Sequence, residues 1–367
     1  MFVTCQISAV HLLCGSGGPT RALEAPGVSV EAGIDDRELC RHAYETNNEA
    51  VFQCEDIQAI AAEEPELVAD LFDDGADATL LAGCPPCQPF STLTNGATNS
   101  DHSKYHLLTS FWDIVDFVRP DVVLMENVQG VHRSEIYRAF EQEMDAAGYN
   151  LNPRSDRSVY CPEYGVPQTR TRWVTFAAKE GVPDLGSPVR ENPTDHPTAS
   201  ESIDHLPALE AGETDPADSL HSARELEETN IERVRHSQPG GTWRDWPQEL
   251  VLDCHTKDSG RSYESVYGRM RPDEPAPTIT TQFYNLGSGR FGHYDTEQDR
   301  ALSLREGALL QTFPGGYSFF DELGDVGIRE TGKLIGNAVP PRLAEVIGRR
   351  TFEIVEETDR QTALGRY

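Results

Sequence analysis

The chain has 367 residues, enough for one large domain and a smaller one, and its 38% hydrophobic content can fill a sizeable core. No apolar run approaches the ~20 residues of a membrane span, and Met1–Val10 lack the layout of a secretory signal, so a soluble, cytoplasmic protein without membrane partners is expected. Against 61 acidic residues stand 31 basic ones, a formal charge of −30; the acids are spread among apolar periodic segments, which argues for a hydrated folded surface rather than a disordered acidic tail.

The first half alternates apolar strands with amphipathic helices. Strands are expected over Ser8–Leu13, Val28–Ile34, Ala78–Ala82 and Asp121–Met125, and helices over Arg37–Asn47, Glu64–Asp73, Lys104–Val118 and Arg133–Ala147, the last ending at Gly148. Repeated βα units predict an α/β fold with a parallel sheet covered by helices on both faces, and ligands beyond the carboxyl ends of its strands. From Gly181 to about Leu220, prolines recur among Asp, Glu and Ser, marking a linker or the entry to a loop-rich domain. Between Arg233 and Arg290 the charge is close to balanced. Either this part has less surface, or it carries a face that approaches phosphates.

Lysine is scarce, with only Lys104, Lys179, Lys257 and Lys333. Scarce lysine with dispersed acids is the halophilic pattern, in which a Debye length of ~3 Å near 1 M salt screens carboxylate repulsion. The eight cysteines are scattered and expected to be reduced. The one close pair, Cys84-Pro-Pro-Cys87, fits a redox or half-zinc spacing, but no second pair supplies the remaining zinc ligands. No metal is expected.

Three local patterns carry chemistry. Leu13-Cys14-Gly15-Ser16-Gly17-Gly18 follows the first strand, where glycines let the backbone approach a ligand. Asp35 closes the next strand, where a carboxylate can accept from ribose hydroxyls, and Asp56-Ile57 follows a further apolar stretch; each alone also fits a helix cap or a loop. Gly83-Cys84-Pro85-Pro86-Cys87-Gln88-Pro89-Phe90-Ser91 places a thiol beyond a strand end, and Glu126-Asn127-Val128 closes another strand. In Gln168-Thr169-Arg170-Thr171-Arg172 the arginines alternate, so an extended segment would point both the same way.

Taken together, these elements resemble the DNA cytosine-C5 methyltransferase family, nearly end to end. Gly83 to Ser91 is similar to its catalytic-cysteine motif, Glu126-Asn127-Val128 to its catalytic-glutamate motif, and Gln168, Arg170 and Arg172 to its Gln-x-Arg-x-Arg motif. Arg300 to Pro314 is similar to the segment packing the small domain, and Ile335 to Pro341 to the motif that returns to the cofactor. One departure is His11-Leu12-Leu13, where the family usually reads Asp-Leu-Phe.

The resemblance implies a Rossmann-like S-adenosylmethionine-dependent methyltransferase domain over residues 1–182 and 325–367. A smaller, loop-rich target-recognition domain spans 183–324. It implies Cys87 as nucleophile, Glu126 on the N3 and amino edge of cytosine, Arg172 at the O2 side, and Arg170 shaping the same electrostatic site. S-adenosyl-L-methionine, leaving as S-adenosyl-L-homocysteine, would meet Leu13, Gly15, Gly17, Asp35, Asp56, Ile57, Pro86, Leu107, Asn337 and Val339. Double-stranded DNA would meet Ser91, Arg269, Arg271, Thr278 and Arg290, with the target base flipped out. A cognate restriction endonuclease is a candidate partner. The alternatives are a same-fold RNA cytosine-C5 methyltransferase and a catalytically impaired DNA-binding relative; the long segment between Arg172 and Arg300 favours DNA.

Overall fold

The computed structural model describes residues 5–85, 106–190, 192–257, 264–321 and 323–364, with the side chains of 323–325 and 358–364 excepted. The chain forms two compact units. The first comprises residues 1–160, 171–188 and 339–367; the second comprises 161–170 and 189–338. Against the expected division, residues 161–170 and 325–338 thus group with the second unit and 183–188 with the first.

The first unit opens with β1 (Ile7–Leu12), α1 (Gly18–Glu24), β2 (Ser29–Asp35), α2 (Arg41–Asn47), β3 (Val51–Cys54), α3 (Ile57–Glu63), α4 (Glu66–Ala69) and β4 (Ala78–Gly83). It continues with α5 (Leu107–Val118), β5 (Val122–Val128), α6 (Glu135–Ala146), β6 (Asn150–Leu151), β7 (Ser158–Tyr160) and β8 (Thr171–Ala178). The strand order is β3-β2-β1-β4-β5-β8-β6, with β7 also on β8. The first five strands in that order are parallel, and β8 runs antiparallel to β5. The expected parallel sheet is therefore present, extended by an antiparallel edge. The chain crosses from one side of β1 to the other between β3 and β4. The carboxyl ends of β1 and β4 consequently flank the switch point where such sheets bind ligands.

Alternation along β1 divides the core. Val10 and Leu12 pack with Ile57, Ile60, Phe111 and Ile114 from α3 and α5, so His11 between them points to the opposite face. That face carries α1, on which the C-terminal helix lies. A Cβ at Gly348 would sit 3.0 Å from Pro26 and 3.3 Å from Leu23, so the missing side chain lets the two segments close.

The expected helix Glu64–Asp73 is mostly absent: Pro65 breaks it, leaving α4, while Ile57–Glu63 is helical instead. Asp56 caps that helix by accepting from Gln58 N at 2.9 Å.

The second unit has little regular structure: α7 (Ala199–Ile203), the hairpin β9 (Thr214–Asp215) and β10 (Asp218–Ser222), α8 (Glu228–His236), α9 (Asp253–Thr256), α10 (Leu304–Leu310) and α11 (Leu323–Asn337). The chain then re-enters the first unit as α12 (Pro341–Leu364). Loops leave main-chain carbonyls without ladder partners, and here buried guanidinium groups supply the donors. Arg269, fully buried, bonds the carbonyls of Val234, Ser237, His293, Asp295 and Gln298 and pairs with Asp299. Arg300, also fully buried, holds Glu306 with two bonds of 2.7 and 2.8 Å and reaches Leu209 O and Gln298 Oε1.

Candidate active site

The site is assembled from three strand ends in the first unit. After β1 the backbone turns sharply: Leu13, Gly15 and Gly17 all take left-handed φ values, 56°, 54° and 81°. Leucine is strained there, whereas glycine is not. Asp35, at the end of the neighbouring β2, is buried and fixes this turn by accepting from Gly15 N at 2.9 Å. Its other oxygen takes the backbone N–H and Nε of Arg37, each at 3.1 Å. Asp56 and Ile57 begin α3, with Asp56 exposed and Ile57 buried.

The second strand end is β4, leading to Cys84 and Pro85. A Cβ on Gly83 would lie 2.3 Å from the Phe111 ring, so only glycine lets α5 approach this closely. Pro86, Cys87 and Ser91 lie outside the described residues. What is described is the base from which they spring. Asn127 Nδ2 donates to Pro85 O at 3.0 Å, Cys84 N donates to Leu12 O at 3.4 Å, and Cys84 Sγ lies 3.7 Å from His11 Nε2. Leu107 starts α5 on the far side of that segment.

The third strand end holds Glu126 and Arg172. Strands β5 and β8 pair antiparallel, with Val128 opposite Arg172 and Glu126 opposite Val174. Residues two apart share a face, so the side chains meet: Arg172 Nε stands 2.7 Å from Glu126 Oε1. The N–H is off the line to that oxygen, which has no aligned hydrogen-bond donor among the described residues. Burial pushes the Glu126 carboxyl up, more than Arg172 draws it down. A carboxyl so placed takes a proton readily and can donate a hydrogen bond from one oxygen while accepting one at the other.

Arg170, which the alternation would aim the same way as Arg172, makes its side-chain bonds within the second unit. It precedes β8 and belongs to the second unit, where its Nη1 donates to Ile279 O at 3.1 Å and to Gln311 Oε1 at 3.3 Å. Gln168 does similar work, donating to Leu310 O and accepting from Ile279 N. Both are holding groups for the second unit.

Arg269, expected at DNA, is fully buried instead, and each of its three nitrogens bonds a carbonyl or Asp299, so the guanidinium presents no surface to phosphate or guanine. Arg271 is exposed and pairs with Glu274 at 2.7 Å. Arg290 is half-buried, and Thr278 Oγ1 donates to Thr169 O at 2.8 Å. Asn337 is the exposed last residue of α11, and Val339 is buried where the chain re-enters the first unit. Two further residues join the site without an expected role of their own: Asn127, within the quoted glutamate motif, and Thr20. Asn127 was legible as an amide immediately after a strand-end glutamate; nothing local marks Thr20.

The family model for C-5 cytosine-specific DNA methylases matches residues 7–353. The chain is 43% identical over 352 residues to the Type II methylase M.HgiDII of Herpetosiphon aurantiacus, covering 95% of this chain and 96% of that one. It is 32% identical to the Type II methyltransferase M1.BsuMI of Bacillus subtilis (strain 168), over 73% of this chain and 59% of that one. The solved structure of the S. pombe Dnmt2 methyltransferase shares the fold, with a TM-score of 0.57 at 18% identity over 96% of this chain and 99% of that one.

Proposed function

The chain belongs to the C-5 cytosine-specific DNA methylase family, and from that membership we propose that it methylates carbon 5 of a cytosine flipped out of duplex DNA, through a covalent bond between Cys87 and carbon 6. The observation that supports this most is the buried Glu126–Arg172 pair, with Glu126 on the strand next to the one leading into Cys87. The family uses S-adenosylmethionine. The residues present fit a nucleoside cofactor: a backbone turn bare of side chains at Gly15 and Gly17, and a buried carboxylate from the adjacent strand end. Leu13, Gly15, Gly17, Asp35, Asp56, Ile57, Pro86, Leu107, Asn337 and Val339 would hold it. When bound, it supplies an electrophilic methyl group.

The chain's own residues do the rest. The Cys87 thiolate adds to carbon 6, and the ring electrons move onto carbon 5, which becomes nucleophilic. Glu126 delivers a proton to N3 and accepts from the exocyclic amino group, which neutralises the charge that develops in the adduct and selects cytosine. Arg172 steadies the O2 side. After transfer, a base removes the carbon 5 proton, the electron pair re-forms the double bond, Cys87 leaves as thiolate, and the N3 proton returns to Glu126. The second unit would read the DNA, with Arg271, Thr278 and Arg290 as contacts and Ser91 at the flipped base. The Type II designations of the relatives support a place in a restriction–modification or stand-alone modification system, with a cognate endonuclease as partner.

The test is to expose unmethylated DNA to the protein and map 5-methylcytosine. A duplex with 5-fluorocytosine at the mapped position should trap a covalent complex through Cys87. Absence of both methylation and trapping would refute the proposal.

A further inference from the structure

The one place where this chain departs from its family's first motif is also where the structure shows a linkage. His11 is buried, on the face of β1 that carries α1. Its Nδ1 is 2.8 Å from Thr20 Oγ1, in the first turn of α1 directly after the glycine turn. Its Nε2 is 3.7 Å from Cys84 Sγ, three residues before Cys87. The imidazole thus has one nitrogen on each of the two segments that flank the switch point. Thr20 is fully buried, so its hydroxyl depends on protein partners.

We propose that His11 is a positioning residue with two separable duties: Nδ1, through Thr20, holds the cofactor turn in shape, and Nε2, through Cys84, holds the end of β4 from which the chain runs on to Cys87. The inference rests on the assignment of those two segments under Proposed function. Burial lowers the His11 pKa to about 4, with Asp35 opposing, so the ring is neutral at pH 7. A neutral imidazole has one donor and one acceptor nitrogen, and a hydroxyl and a thiol can each take either role. An acidic side chain at this position would present acceptors only, and would be too short to span both segments.

Two substitutions separate the duties. Asparagine places its amide near the position of Nδ1 and falls short of Cys84; glutamine reaches the position of Nε2 and leaves Thr20. Full-length wild type, H11N, H11Q and T20V are compared by two readouts. One is S-adenosylhomocysteine affinity by calorimetry without DNA. The other is the rate of Cys87 alkylation by iodoacetamide, followed by peptide mass spectrometry. H11Q and T20V should bind S-adenosylhomocysteine about tenfold more weakly, the loss of roughly one hydrogen bond, with Cys87 alkylation within about twofold of wild type. H11N should bind within about twofold and change the alkylation rate about tenfold. Variants that shift both readouts together, or neither, overturn the proposal. T20V keeps the test open if the substitutions at 11 fail to fold, because it removes one hydroxyl at nearly constant shape. Should the wild type itself not bind S-adenosylhomocysteine, the functional assignment fails instead.

Discussion

Replacing Glu306 by glutamine should cost the second unit about 3–5 kcal/mol, the usual result of stranding one partner of a buried ion pair. Both carboxylate oxygens are committed. Oε1 takes Arg300 Nη2 at 2.7 Å and faces His293 Nε2 at 3.5 Å. Oε2 takes Arg300 Nη1 at 2.8 Å and the Ser303 N–H at 2.7 Å, closing the cap of α10. Glutamine can keep one of these sets, and its amide then sets donor against donor on the other. Titration gives a second measure. Burial alone would raise this carboxyl, but Arg300, His293 and the Ser303 N–H together hold it at about 2, against an ordinary 4.5. A depression of that size corresponds to about 3 kcal/mol. Because the folded value lies below the unfolded one, the stabilisation is complete above about pH 4.5 and disappears as the pH falls towards 2. The assay is urea unfolding of wild type and E306Q at pH 7 and pH 3, with hydrogen exchange read on the peptide covering Leu304–Leu310. A difference under about 1 kcal/mol at pH 7, or one that does not narrow at pH 3, would refute the reasoning.

Other outcomes follow from the same structure. Cys87→Ser should abolish methyl incorporation and 5-fluorocytosine trapping while leaving the melting temperature unchanged, since a hydroxyl is a far weaker nucleophile than a thiolate; incorporation of labelled methyl near the wild-type level would contradict it. Asp35→Ala should weaken S-adenosylhomocysteine binding by about 1–3 kcal/mol in calorimetry, because the Gly15 turn loses its acceptor. Arg269→Met should lower stability by several kcal/mol, leaving buried carbonyls and Asp299 without donors, while Arg271→Ala should change DNA affinity and not stability. Denaturation and DNA titrations on both variants distinguish these effects. Activity should rise from 50 mM salt to a maximum near or above ~1 M as carboxylate repulsion is screened; a steady fall with an unchanged melting temperature would count against the halophilic reading.

The strands β1, β2, β4 and β5 were legible because each is an apolar run flanked by turn residues. β3, the short apolar stretch before Asp56, was not assignable as a strand because it is four residues long with Gln53 inside it. The glycine turn and Glu126 were placed correctly in the fold because each lies at or near a strand end and carries a local pattern. What each arginine does was not readable. A guanidinium that satisfies five loop carbonyls has the same local sequence as one that reaches for phosphate, so Arg269 passed for a DNA contact until its partners, 24 to 35 residues away, were known. Likewise the spacing of Arg170 and Arg172 could not show that β8 starts between them and sends the two to different units.

The packing of α12 on α1 has a consequence for synthesis. Leu23 and Pro26 wait for Gly348 and its neighbours, which the ribosome makes some three hundred residues later. At about 5–20 residues per second that interval is on the order of 15–65 s. During it the nascent first unit carries an uncovered apolar stripe, and the whole second unit emerges in the meantime. Closing so long a loop costs little more entropy than closing a medium one, but it comes last and cannot be hurried by local propensity. Chaperone occupancy should therefore concentrate on nascent chains shorter than about 350 residues, and a synonymous slowdown late in the message should lower the yield of folded protein more than one placed early.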